Sequence, residues 1–237
     1  MDTTEIPTAA IEVAPTAVTE QIVPTLSFVP LEELPKTTEW VKEEEVPGLI
    51  PDIKQCCQLC LDKQGVAVAA PQVGKPHKYF VAISKLVHEG KEYLKFDTLF
   101  NPQYKAIKDQ GKEEDDEGCL SLPGEAYRVS RYKVVRLTWS VYDGTKFVRK
   151  EKKLKGFSAR VAQHEIDHLN GFTIKDRGTK VEPKPVPTES VPEEMVRQAI
   201  EQAQAKLSGN QSGEIIPAQA EVISETPVET ENANQQA

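Results

Sequence analysis

Gln163-His164-Glu165-Ile166-Asp167-His168 decides how the rest of this chain is read. On a helix, residues four apart lie on one face, so His164 and His168 can point at a single ion. Glu165, beside the first imidazole, stands where a carboxylate can take a proton from metal-activated water. Ser158 is a candidate N-cap, Ala159 to Leu169 contains no helix breaker, and Gly171 stands where helices commonly end. Two of the chain's 4 histidines share this spacing around a Glu, which favours a metal site over two incidental surface imidazoles.

Around this helix the composition is uneven. Residues 1–47 carry a net charge of −8 and residues 183–237 one of −6; with −8 for the whole chain, about +6 remains on residues 48–182. The acidic balance therefore belongs to the ends, and the middle is mildly basic. Both ends are rich in Pro, Thr, Glu, Ala and Gln, with Phe28 and Trp40 as their aromatics. Segments of this kind bury too little apolar surface to offset chain entropy, so both read as mostly disordered, flexible tails flanking one domain at 48–182. Glu193 to Leu207 is the exception: Val196, Ile200, Ala203 and Leu207 recur at helical spacing and favour a helix docked on the domain.

No early apolar run marks a secretory signal, and no stretch approaches the roughly 20 apolar residues that cross a membrane. Cys56, Cys57 and Cys60 are crowded together and do not read as a disulfide framework. A reducing, cytoplasmic location follows as the expectation. Cys57-Gln-Leu-Cys60 has the spacing of a redox pair or half a zinc site, but it also suits buried thiols on one face of a helix over Ile53–Lys63. The core reading is preferred.

Gly65-Val66-Ala67-Val68-Ala69-Ala70-Pro71-Gln72-Val73-Gly74 is a run of small residues that lets backbone approach a neighbour or ligand closely. Tyr79 to Ile83, Val134 to Tyr142 and Phe147 to Leu154 have strand composition, the last two joined through Asp143-Gly144. Lys112 to Glu117 reads as a solvated acidic turn. The basic run Arg149 to Lys155 lacks interleaved aromatics and reads as an exposed strand face, so direct nucleic-acid binding is not expected. The fold class is α+β: antiparallel β-sheets packed around a central metal-binding helix.

Catalytic sites built on a two-histidine helix commonly have three protein ligands plus water. One protease pattern continues to a third His six residues after His168, but Ile174 occupies that position and cannot bind a metal. A downstream Glu would have to come from the Pro-rich tail beyond Glu182. Upstream, Glu117-Gly118-Cys119-Leu120-Ser121 offers one thiol apart from the other cysteines, and a thiolate suits zinc or ferrous iron.

Gly65 to Gln72, Glu117 to Ser121 and Gln163 to His168 together resemble, in order and spacing, the three signature motifs of the peptide deformylases. The resemblance spans about residues 50–180, with Leu169-Asn170-Gly171 and Asp176-Arg177 also similar. It departs at Ala67 and Val68, where the family usually has Gly and Leu. It implies removal of the formyl group from the N-terminal methionine of formyl-methionyl nascent polypeptides, near the ribosome where they emerge. It further implies Cys119, His164 and His168 as ligands of Fe²⁺, with Zn²⁺ or Ni²⁺ able to substitute. Glu165 would be the proton acceptor, and Gln72 with the Leu120 N–H the oxyanion donors. Gly65, Val66, Ala67, Glu117, Gly118, Phe157 and Val161 would contact substrate. The residues leave two alternatives open, a metallopeptidase of different specificity and a non-catalytic interaction protein, although a scaffold has no physical need for Glu165.

Overall fold

Pro47 lies in the first turn of helix α1 (Val46–Asp62), where its missing N–H costs nothing. Leu49, Ile53, Cys56, Cys57 and Cys60 are buried along this helix. The C-x-x-C is therefore part of a packed core, and burial pushes the Cys56 and Cys60 thiols up to about 12, leaving them protonated and inert. The computed structural model describes residues 26–88, 91–184 and 193–208.

Strands β1 (Ala67–Ala69), β2 (Tyr79–His88), β3 (Lys91–Ala106), β6 (Val134–Tyr142) and β7 (Phe147–Lys155) form a five-stranded antiparallel sheet in the order β1-β2-β3-β6-β7. Strands β4 (Lys112–Cys119), β5 (Leu122–Tyr132) and β8 (Gly178–Val181) form a second, also antiparallel. The acidic stretch read as a turn is thus a strand. Its acids are tolerated because Asp116 and Glu117 meet Arg128 and Arg131 of β5, while the other acids face solvent.

Strand alternation gives the larger sheet two apolar faces. Phe80, Leu99 and Leu137 pack with Ala162, Ile166 and Leu169 of helix α2 (Gly156–Leu169), whereas Tyr79, Val81 and Phe100 pack towards α1. The opposite side of α2 is tied to the smaller sheet by Gln163. Its side chain accepts from Tyr132 N at 3.0 Å and donates to Tyr132 O at 2.9 Å. Helix α2 thus lies between the sheets. It starts one turn before the expected Ser158 cap, with Lys155 at the N-cap. It stops as the sequence predicts: Gly171, at φ +77°, donates to His168 O and Phe172 donates to Asp167 O.

One tail assignment changes. The packed structure reaches ahead of residue 48: Val41 and Val46 are buried, and Leu26, Phe28 and Leu31 pack against core clusters. Composition missed this because a strap on a preformed surface needs only a few apolar anchors. Asn101 holds it as well, its side chain accepting from Val41 N at 2.9 Å and donating to Val41 O at 2.8 Å. Helix α3 (Glu193–Leu207) docks on α1 and β3 through buried Ala199, Ile200, Ala203 and Leu207. The side chain of Val196, with residues 1–25, 185–192 and 209–237, lies outside the described residues.

Candidate metal centre

Three elements converge on one point. Helix α2 presents His164 and His168 from adjacent turns, and their Nε2 atoms are 3.2 Å apart. The β4–β5 turn presents Cys119, whose Sγ is 3.3 Å from His168 Nε2. One donor atom from each of these residues lies within 4.8 Å of the other two, close enough for a single ion to meet all three. No candidate cluster besides this one occurs among the described residues. Ile174, where a third histidine would be needed, is buried in the core around Cys119 instead.

The third element is the short helical turn Ala70–Val73 after β1, which carries Gln72. Gln72 is 1% exposed. Its Oε1 accepts from Ala69 N at 2.8 Å, which turns the amide nitrogen towards the site, where it lies 3.1 Å from Ser121 Oγ and 3.7 Å from Cys119 Sγ. Leu120 follows Cys119 in the same turn, packed so closely on Gly65 that a Cβ there would come within 2.5 Å of Leu120 Cδ1. A side chain at position 65 would force the Leu120 side chain to shift.

Behind these three side chains lies a buried charge network that sequence reading did not find. Glu117 accepts from Arg131 Nε and Nη2, both at 2.9 Å, from Arg160 Nη1 at 2.7 Å, and meets His164 Nδ1 at 3.0 Å. Arg131 also bonds Asp167, which accepts from Arg177 Nη2 at 2.7 Å. The available signal was a pair of arginines, Arg131 and Arg160, at positions whose strand and helix patterns point inward. Glu117, expected to touch substrate, is spent on these partners. Gly118, next to it, has open space where a Cβ would stand.

Electrostatics separate the titratable groups. Burial disfavours a charged His164, but its contacts with Cys119 and Glu117 outweigh this and raise it to about 10. His168 lies well below its ordinary value through burial and the neighbouring His164 charge. Burial likewise pushes Glu165 up to about 7, and its Oε2 is a buried oxygen with no hydrogen-bond partner. Two imidazoles, one thiol and an orphaned carboxylate oxygen suit a borderline-soft divalent ion; an all-oxygen cage for Ca²⁺ or Mg²⁺ is absent from the cluster.

The remaining expected contact residues lie nearby in the fold. Val66 is 43% and Phe157 67% exposed, and Val161 is half-buried. Phe157, Val161, His164 and His168 follow one helical stripe, so the apolar pair precedes the two histidines on the same face. The Gly65 N–H is taken by Cys60 O at 2.7 Å, and the Val66 carbonyl by Ile83 N at 2.9 Å. Alternation along the β1–β2 ladder leaves the Ala67 N–H and C=O on the edge away from β2.

Comparison with known proteins gives one answer. The family model for polypeptide deformylase matches residues 27–184. The peptide deformylase of Aquifex aeolicus is 38% identical over 150 residues, covering 62% of this chain and 83% of its own. That of Dictyoglomus thermophilum is 36% identical over 138 residues, covering 58% and 80%. Among solved structures, a probable peptide deformylase from synechococcus phage S-SSM7 superposes with a TM-score of 0.54 at 33% identity, over 64% of this chain and 99% of its own. The peptide deformylase from synechococcus elongatus, in complex with actinonin, gives 0.53 at 26% identity, over 82% and 93%. Matched over residues 27–184, the chain belongs to the polypeptide deformylase family.

Proposed function

We infer that this chain is a metal-dependent amide hydrolase that removes the formyl group from the N-terminal methionine of new polypeptides, releasing formate and a free amine. The observation that carries the reading is the meeting of Cys119, His164 and His168 within 4.8 Å beside the orphaned Oε2 of Glu165. These three side chains would hold a divalent ion, and the donor set suits Fe²⁺, with Zn²⁺ or Ni²⁺ able to substitute. When bound, such an ion supplies a Lewis acid and lowers the pKa of water at an open coordination position.

The protein's part is proton handling, orientation and exclusion of water. Glu165, held near neutrality by burial, accepts a proton as water attacks the formyl carbon and delivers it to the leaving amine. The Gln72 amide nitrogen, whose Oε1 partner accepts from Ala69 N, and the Leu120 N–H would donate to the developing oxyanion. Val66, Phe157 and Val161 would form an apolar approach suited to a methionine side chain. A peptide backbone would pair through Ala67 as an added strand, so the Ala67 methyl and Val68 bear on side-chain preference. Gly65 contributes by letting Leu120 close in.

The cytoplasm, where formyl-methionyl chains emerge from the ribosome, is the setting this substrate implies. No helix among the described residues is long and apolar enough to cross a membrane. The decisive experiment is formate release from formyl-Met-Ala-Ser by protein loaded anaerobically with Fe²⁺ or with Ni²⁺. Well-folded, metal-replete protein that leaves this peptide intact would sink the reading. Cleavage of internal peptide bonds by the same preparation would favour a metallopeptidase.

A further inference from the structure

The segment 26–41 touches every element that builds the metal centre. Val29 N donates to the Gln72 carbonyl at 3.0 Å, and the Val29 side chain closes on Gly74, the residue that ends the Gln72 turn. Leu31 packs on the cluster formed by Cys119, Leu122, Tyr127, Val129 and Ile174. Thr38 Oγ1 donates to Leu169 O at 2.7 Å, immediately after His168. The Lys36 carbonyl presses on Gly171, where a Cβ would come within 2.5 Å of it.

We propose that this segment is a positioning strap for the metal centre, with Leu31 holding the Cys119 turn and Thr38 holding the His168 end of α2. The inference rests on the reading of Cys119, His164 and His168 as ligands. Cys119 and His168 sit on different elements, 49 residues apart in sequence. Among the described residues α2 meets β4 and β5 through side chains, Arg160 and His164 on Glu117 and Gln163 on Tyr132, so the position of the Cys119 turn relative to His168 depends on side-chain contacts that the strap adds to. A segment anchored to both, and to the Gln72 turn, fixes distances that a metal-binding triad needs to within about half an ångström. Strap residues that pack elsewhere provide an internal control. Leu26 lies on the α1 core, with its N–H bonded to Gln55 Oε1 at 2.6 Å.

The test uses the full chain and Co²⁺ as probe metal, read by chelator competition and by the thiolate-to-cobalt absorption that reports on Cys119. Leu31→Ala should weaken Co²⁺ binding by about tenfold, the lower end of what losing an outer support costs a metal site. It should also change the absorption and lower kcat for a formyl-Met peptide with KM retained. Leu31→Met should restore all three, and Leu26→Ala, the same deletion elsewhere on the strap, should leave affinity and absorption as in the wild type. If Leu31→Ala matches the wild type in both readouts, or Leu26→Ala reproduces the Leu31→Ala changes, the strap is only a stability element and the proposal falls. If Leu31→Ala does not fold, Thr38→Val carries the test: weaker Co²⁺ binding supports the strap and wild-type binding overturns it. Wild-type protein that takes up no Co²⁺ would instead overturn the ligand assignment on which the strap rests.

Discussion

Glu117→Gln is the sharpest test of the network behind His164. The carboxylate is 6% exposed and meets Arg131 twice, Arg160 once and His164 once, all between 2.7 and 3.0 Å. Gln keeps the shape and one acceptor oxygen, but its amide nitrogen would face guanidinium donors. Buried positive charge would lose its counter-ion, although Arg131 keeps Asp167 and Arg160 keeps the Val129 carbonyl. Removing one partner of a buried ion pair costs about 3–5 kcal/mol. Titration gives the same size. Burial pushes Glu117 up, yet its contacts with His164 and Arg131 win and hold it at about 2 against an ordinary 4.5, a shift equivalent to about 3 kcal/mol.

Because the folded value lies below the unfolded one, this stabilisation is complete above about pH 4.5 and disappears as pH falls through about 2. Urea unfolding of the metal-free wild type and variant should therefore show a gap of about 3–5 kcal/mol at neutral pH. The melting temperature should drop by about 10 °C, and the gap should narrow steadily in acid. With His164 deprived of its carboxylate partner, Co²⁺ affinity should fall by about 10- to 100-fold. A neutral-pH gap below about 1 kcal/mol, the range of exposed pairs, or one that does not close in acid would refute the reasoning.

Glu165→Ala should keep Co²⁺ bound while formate release falls by about 10²- to 10⁴-fold; loss of metal along with activity would make Glu165 a support of the site and not its base. Because burial raises Glu165 from an ordinary 4.5 to about 7, this group costs stability progressively as pH rises from about 4.5 and in full above about 7, so the metal-free variant should melt higher than wild type at pH 8. Gly171→Ala places a side chain at φ +77°, at a cost of about 1–2 kcal/mol from backbone alone. The Lys36 carbonyl at 2.5 Å should add to that, and an unchanged melting temperature would mean that the strap does not pass there. Gly65→Ala should displace Leu120 and lower kcat/KM with little loss of stability, as measured by formate release and thermal unfolding. Wild-type kcat/KM would remove the Gly65–Leu120 contact from the account.

What the sequence could determine was local or came from motif spacing. His164 and His168 share a helix face because four residues make about one turn, and Gly171 ends that helix because the terminating residue needs positive φ. The strands at Tyr79, Val134 and Phe147 followed from composition, and the buried thiols of α1 from their spacing. The acidic strand β4 was illegible because its stability comes from arginines on β5, which local propensity does not register. The extent of the domain was illegible for a related reason. The segment 26–41 looks like a tail by composition, and its order depends on Asn101, Gln72, Leu169 and the Cys119 cluster, all distant in sequence. Motif resemblance could nominate Cys119, Gln72 and Glu165. Only the tertiary structure decided that one sulfur and two imidazoles meet within 4.8 Å, and that Glu117 is a buried counter-ion behind them. Those distances arise where α2 packs between two sheets, and packing between elements is not encoded in any single stretch of chain.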